Sequence, residues 1–251
     1  MTAAAWFDAH AHPGAAGEDA AAFRRRAEAA GLGGMAVMAV READWGKLAA
    51  TGTAGGGFFR VGFGVHPWAA TEAGDPAALG ERLAAALAAH PGAGVGEIGL
   101  DGGERGPPMD VQEAVFRVQW DVARRMERPV SVHGFKAWDR IFAAMREAPN
   151  PAGAVLHAYG GPTGAAKEFA EAPVWFSFGR TVLREGARKA AALAASLPPE
   201  RCLAESDAET PADAMAAPAV GAKLAALWGM DPAEAAETLA ANWRAAFGAR
   251  G

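Results

Sequence analysis

The chain is 251 residues long, with 51% hydrophobic and 21% charged residues, a net charge of −5 and a sequence pI near 5.7. That balance supplies a sizeable core and excludes a disordered chain, and its acidity argues against a broad basic nucleic-acid-binding face. The lone cysteine, Cys202, excludes a disulfide framework and a thiolate zinc knot.

From the start, Met1-Thr2-Ala3-Ala4-Ala5 lacks the basic opening of a secretory signal, and no apolar run is long enough to span a bilayer. The expected address is the cytoplasm, with no membrane and no obligate protein partner. Short apolar runs then alternate with longer amphipathic ones. A strand is expected over 5–10, a helix over 20–30, and strands over 34–40 and 58–65. A helix over 76–89, a strand over 94–98, a helix over 110–126 and a strand over 129–133 follow. Next come a helix over 138–148, a strand over 152–157, a helix over 162–170, a strand over 174–178, a helix over 184–197 and a strand over 201–206. Beyond Asp207 only helix is expected, through Leu227 and over 233–247. Eight strands separated by helices spell an α/β chain of the (β/α)8 TIM-barrel type. No linker of Pro, Gly or Ser divides it, so 1–251 reads as one domain. The run from Gly102 to Pro108 reads as a mobile mouth loop after the fourth strand.

Polar residues fall at the ends of these strands, where barrels of this kind carry their chemistry. His10 and His12 end the first strand, Glu97 the fourth, His133 the fifth and His157 the sixth, and Asp207 ends the eighth. Side chains alternate along a strand, so His10 and His12, two apart, point together and form a two-pronged clamp. Imidazole plus carboxylate suits a divalent ion, and a carboxylate can bridge two of them. Any one of these histidines could be an ordinary buried residue. All six groups converging without a cation would leave buried charge uncompensated. Asp8, two before His10, reads as a hydrogen-bonded residue beneath the site, and Glu205 shares parity with Asp207 and would orient ligands from behind.

At these positions the sequence resembles the TatD family of metal-dependent deoxyribonucleases, within the amidohydrolase-like barrels. The matching segments are Phe7-Asp8-Ala9-His10-Ala11-His12, Gly64-Val65-His66-Pro67-Trp68 and Gly96-Glu97-Ile98-Gly99-Leu100-Asp101. Gln112 and Phe116, Pro129-Val130-Ser131-Val132-His133 and His157-Ala158-Tyr159-Gly160-Gly161 continue the match. Leu203-Ala204-Glu205-Ser206-Asp207, Asn242-Trp243 and Phe247 complete it. The resemblance implies two divalent ions, zinc, manganese or magnesium. One would be held by His10, His12, Glu97 and Asp207, the other by Glu97, His133 and His157. It also implies hydrolysis of a phosphate ester, in DNA ends or small nucleotides, by a metal-activated water with Asp207 as general base. Such families place an arginine two residues after the strand-five histidine, where this chain has Phe135, and an aromatic residue after Asp101, where it has Gly102. Ala208-Glu209-Thr210-Pro211 also departs from the pattern.

Lys136 or Arg180 would then replace the arginine at a phosphate, His66 would touch the same group, and Tyr159, Trp68 and Trp138 would stack on bases. Two rivals stand beside this reading. One is an amidohydrolase cleaving a C–N or C–O bond of a small metabolite. The other is a barrel that binds metal as a scaffold without catalysis.

Overall fold

In the computed structural model the described residues are 5–12, 19–169, 171–210 and 212–248. Residues 1–4 of the opening run read for a secretory signal, Ala170 at the end of the helix expected over 162–170, and Pro211 therefore lie outside the described residues. β-Branched and aromatic residues in the apolar runs favour extended backbone. They form β1 (Trp6–Ala11), β2 (Leu32–Met38), β3 (Phe59–Phe63), β4 (Gly94–Asp101), β5 (Val130–Phe135), β6 (Ala154–Leu156), β7 (Val174–Phe178) and β8 (Cys202–Ala204). All neighbouring pairs are parallel, and one sheet runs β1 to β8 in sequence order.

The helices are α1 (Ala20–Ala29), α2 (Trp45–Ala54), α3 (Pro76–Ala89), α4 (Met109–Arg125), α5 (Trp138–Glu147), α6 (Ala165–Glu168), α7 (Arg188–Ser196), α8 (Ala217–Trp228) and α9 (Pro232–Phe247). Their starts follow local chemistry. Asp75 and Asp231 cap α3 and α9 by accepting backbone N–H groups, with proline in the first turn of each. Two expected helices are shorter than their apolar runs. α6 is a single turn, Ala165–Glu168, and Gly186 at φ 76° delays α7 to Arg188. No helix among the described residues is long and apolar enough to cross a membrane.

β8 is too short to pair fully with β1, and the seam is closed by other means. Ala11 bridges Ala208, His12 N donates to the Ala208 carbonyl at 2.6 Å, and Asp207 N donates to the His10 carbonyl at 2.9 Å. Below this, the Asp8 carboxylate accepts from Ser206 N at 2.9 Å, Ser206 Oγ at 2.6 Å and His10 N at 3.1 Å. Burial pushes the Asp8 carboxyl up to about 7, against the pull of its Ser206 and His10 donors. Trp243 of α9 donates its indole N–H to the Asp8 carbonyl and packs with Ala9, Met38, Val155, Trp175, Leu203 and Phe247.

Removing the Asp8 carboxylate orphans three donors at a fully buried seam. Asp8→Ala is therefore expected to lower the unfolding free energy by about 2 kcal/mol or more, the scale of leaving buried donors unsatisfied. Urea unfolding followed by circular dichroism checks it. An unchanged midpoint would assign closure to the backbone bridges alone.

Candidate metal centre

Five strand ends carry the ionisable residues. His10 lies within β1 and His12 just beyond it, Glu97 in β4, His133 in β5, His157 just after β6 and Asp207 after β8. The β4–β5 ladder is irregular between Val95 and Ile98, a bulge of the kind that re-aims a side chain, and Glu97 sits in it. Gly99, at φ 151°, passes so close to the His133 carbonyl that a Cβ there would collide with it. Asp207 and Ala158, at φ 49° and 43°, adopt the left-handed conformation. They are held there by Asp207 N on the His10 carbonyl and Ala158 N on Glu205 Oε1.

Glu97 is the hub. Its Oε2 lies 3.2 Å from His10 Nε2 and 3.1 Å from His12 Nε2. Its Oε1 lies 3.0 Å from His133 Nδ1, 3.6 Å from His66 Nε2 and 3.8 Å from His157 Nε2. Asp207 Oδ1 stands 3.9 Å from His12 Nε2 and 3.8 Å from His157 Nε2.

Each of four imidazoles is anchored by its outer nitrogen. His12 Nδ1 donates to the Met38 carbonyl at 3.0 Å, and His10 Nδ1 meets Ser131 Oγ at 2.8 Å. His133 Nε2 pairs with Asp101 Oδ2 and His157 Nδ1 with Glu205 Oε1, both at 3.0 Å. Glu205 in turn accepts from Ser177 Oγ. A carboxylate or carbonyl behind an imidazole fixes its tautomer and leaves the inner nitrogen a lone pair, the usual support of a metal ligand. His66 differs. Its Nδ1 accepts the Trp68 backbone N–H at 3.1 Å, so its Nε2 carries the proton and faces Glu97 as a donor.

These inner atoms cannot face one another bare. His10 Nε2 and His12 Nε2 lie 3.0 Å apart, and nitrogens about 2.0–2.1 Å from a shared cation are separated by about that distance. Glu97 Oε1 is buried without a well-angled hydrogen bond, ringed by three imidazoles, and the outer His157 Nδ1 likewise relies on an ion pair rather than an aligned bond. A cation or a proton must lie between such groups, and the donor set suits a divalent metal. His10, His12 and Asp207 form one close group, His10, His157 and Glu205 another, and Glu97 and His133 a third in which His66 stands beside them as a donor.

Charge follows the same geometry. Burial works to raise the Glu97 carboxyl, but His66, His10 and His157 override it and hold it well below the usual range. Burial likewise opposes the fall of Asp207, which His157 and His10 keep ionised. Burial lowers His66 to about 4 and, with His157 opposite, lowers His10. Burial also disfavours charge on His12, but Glu97 and Asp207 raise it. Against their own burial, His133 is held up to about 9 by Asp101 and Glu97, and His157 to about 10 by Glu205 and Glu97.

The remaining expected residues divide. Arg180 reaches the Asp207 corner, its Nη2 donating to the Asp207 carbonyl at 3.2 Å and its Nη1 pairing with Asp213 at 3.1 Å. Lys136 is exposed beyond β5, its ammonium 5.2 Å from the centre of the Phe135 ring. Tyr159 corrects the expectation of a substrate contact. It is buried against Trp138 and Phe176, and its hydroxyl is spent on the Pro162 carbonyl at 2.6 Å. Trp138 is buried as well. Asp101 had no role in the sequence reading, because the fourth strand was expected to end at Ile98 while β4 runs to Asp101. The missed signal was parity, since Glu97 and Asp101 lie four apart on one strand and face the same side.

Two glutamines of α4 brace this rim. Gln112 accepts from Asp101 N at 2.8 Å and donates to the Asp101 and Pro107 carbonyls. Gln119 accepts from Val65 N at 2.7 Å and donates to the Val65 carbonyl, beside His66. The run from Gly102 to Pro108, expected to be mobile, is thus tied down at both ends, with Gly102 N also on the Phe135 carbonyl at 2.7 Å.

A parallel (β/α)8 barrel with imidazoles and carboxylates gathered at the carboxyl ends of its strands defines the metal-dependent hydrolase class of this fold. Residues 7–248 match the family model described as TatD related DNase, and the chain belongs to that family. It is 27% identical over 208 residues to the uncharacterized metal-dependent hydrolase YjjV of Escherichia coli (strain K12), covering 81% of this chain and 79% of the relative. The crystal structure of YjjV, described as a TatD homolog, superposes with a TM-score of 0.85 at 25% identity, over 97% of this chain and 98% of that one. YabD of Bacillus subtilis (strain 168), also an uncharacterized metal-dependent hydrolase, is 30% identical over 114 residues, 45% of each chain. The 3'-5' ssDNA/RNA exonuclease TatD of Erwinia billingiae (strain Eb661) is 30% identical over 139 residues, 55% of this chain and 52% of that protein. The chain thus spans about half the length of YabD and TatD in those two matches.

Two outcomes follow from the charges. At neutral pH the metal-free His133 and His157 carry protons that a cation must displace, so binding releases protons and apparent affinity climbs as pH rises toward 9. Without metal, these raised imidazoles stabilise the fold fully below 6.5, and the contribution is lost as pH rises through about 9 to 10. Titration with zinc or manganese in weak buffer reads the released protons, and pH-independent affinity would contradict the assignment. Asp101→Ala is expected to weaken metal binding by ~10–100-fold, the usual effect of removing a carboxylate behind a ligand imidazole. Calorimetric titration checks it.

Proposed function

We propose that this protein hydrolyses phosphodiester bonds at nucleic-acid ends with the aid of two divalent cations, zinc, manganese or magnesium. The observation that carries the reading is the division of Glu97, with one oxygen facing His10 and His12 and the other facing His133 and His157. His10, His12, Glu97 and Asp207 would hold one cation, and Glu97, His133 and His157 the other. Such ions, when bound, neutralise charge on phosphoryl oxygens and make water acidic near neutral pH.

The protein's own groups do the rest. Asp207 is ionised and its side chain is 46% exposed, so it meets both the cluster and solvent. It accepts the proton of the attacking water as the new P–O bond forms, and returns it to the departing oxygen as the old P–O bond breaks. His66 presents its Nε2–H to a phosphoryl oxygen, and Arg180 brings a guanidinium to the Asp207 corner. Glu205 and Asp101 keep His157 and His133 in one tautomer throughout. The choice of strand ends draws support from the exonuclease activity named for the Erwinia billingiae relative.

The test is a substrate panel with and without divalent metal: a single-stranded oligonucleotide, a generic phosphodiester, a phosphomonoester and a cyclic amide. The wild type is expected to cleave the diesters, and Asp207→Asn and Glu97→Ala to lose at least ~100-fold. Preferential cleavage of the amide would assign the chain to C–N bond hydrolysis. Full activity in Asp207→Asn would remove that residue from the base role.

A further inference from the structure

Among the described residues, the exposed large hydrophobic side chains are Trp68, Phe135 and Leu183, at 41%, 47% and 40% exposure. All three follow or end barrel strands on the carboxyl side, Trp68 after β3, Phe135 at the end of β5 and Leu183 after β7. Apolar surface left in water on one rim alone, around the ionisable cluster, points to something that covers it there.

Trp68 is fixed rather than loose. Its indole N–H donates to Asp101 Oδ2 at 2.8 Å, the same oxygen that His133 Nε2 meets at 3.0 Å. Its ring lies edge-on to His66 with centroids 4.7 Å apart, and 6.1 Å from the His133 ring. The aromatic plane is therefore set against two residues of the cluster by a hydrogen bond. Across Asp101, Gly103 N bonds the other carboxylate oxygen at 2.7 Å, and a Cβ on Gly103 would stand 3.3 Å from the Phe135 ring. Both aromatics carry a cation, the Arg105 guanidinium 5.5 Å from the centre of the Trp68 ring and the Lys136 ammonium 5.2 Å from that of Phe135. A flat guanidinium resting on an exposed indole marks a place that accepts a flat, polarisable group. When such a group arrives carrying a phosphate, the displaced cation is already beside it.

We propose that Trp68, with Phe135 beside it, is a stacking seat for the nucleobase at the strand end being cleaved. This deepens the phosphodiesterase reading and rests on it for the choice of ligand. Every base has a π-face, so the seat recognises a base without reading its identity. The cations over the rings complement the phosphate of the same nucleotide, which a neutral apolar partner would leave without a counter-charge.

The experiment compares the metal-loaded protein on two oligonucleotides, one ending in a base and one in an abasic residue, each with a hydrolysis-resistant terminal phosphorothioate, by fluorescence anisotropy. Wild type is expected to bind the base-ended strand about tenfold more tightly, within what one base–aromatic stack contributes. Trp68→Ala should erase the difference, Phe135→Ala reduce it, and Trp68→Phe, which keeps a ring but not the N–H, retain most of it. Equal binding of the two strands by wild type overturns the proposal, even if the protein cleaves both unmodified strands. Loss of discrimination in Trp68→Phe as complete as in Trp68→Ala also overturns it, assigning the indole to holding Asp101. Discrimination without any cleavage of the unmodified strands would count against the reaction and uphold the seat.

Discussion

A buried carboxylate surrounded by imidazoles is the constraint around which this barrel is arranged. Glu97 is buried away from bulk solvent, and its oxygens face nitrogens of five histidines at 3.0–3.8 Å. Such a group persists in a low-dielectric interior only if positive charge reaches it. In the metal-free protein His133 and His157 carry such charge as protons, and these are the protons a divalent ion would replace. The histidines are spread over four strands or their ends, so the cluster exists only when the sheet is closed.

Closure and site are therefore one problem. The shortness of β8 leaves the seam to the Asp8 carboxylate and to the bridge between Ala11 and Ala208, on either side of His10. The same seam sets Asp207, whose backbone N–H is held by His10 while its side chain points toward His12 and His157. Behind the imidazoles, Ser131, the Met38 carbonyl, Asp101 and Glu205 fix ring orientation.

Much of this was legible in the sequence because it is written in strand periodicity. His10 and His12 two apart, and a polar residue closing each of several apolar runs, locate the rim without coordinates. Asp101 escaped because Gly99 weakens the strand signal directly after Ile98, and the expected strand stopped there although β4 continues to Asp101. Tyr159 misled for the opposite reason. A tyrosine beyond a strand end is ambiguous until its hydroxyl finds a partner, and here Pro162 supplies one inside the fold. The division of labour between the two Glu97 oxygens depends on a local irregularity of the ladder and has no signature in residue spacing. Neither does the fixing of the loop after β4, which follows from a glutamine on the next helix.

Gln112 and Gln119 lie seven residues, two turns, apart on α4, and they hold the loops of two different strands. One rod thus carries the backbone beside His66 and the backbone of Asp101 together. Exchanging either loop alone would leave its glutamine without partners, and carrying α4 along with only one loop would unseat the other. The smallest module that can be swapped on this side of the molecule is the pair of loops with their common helix.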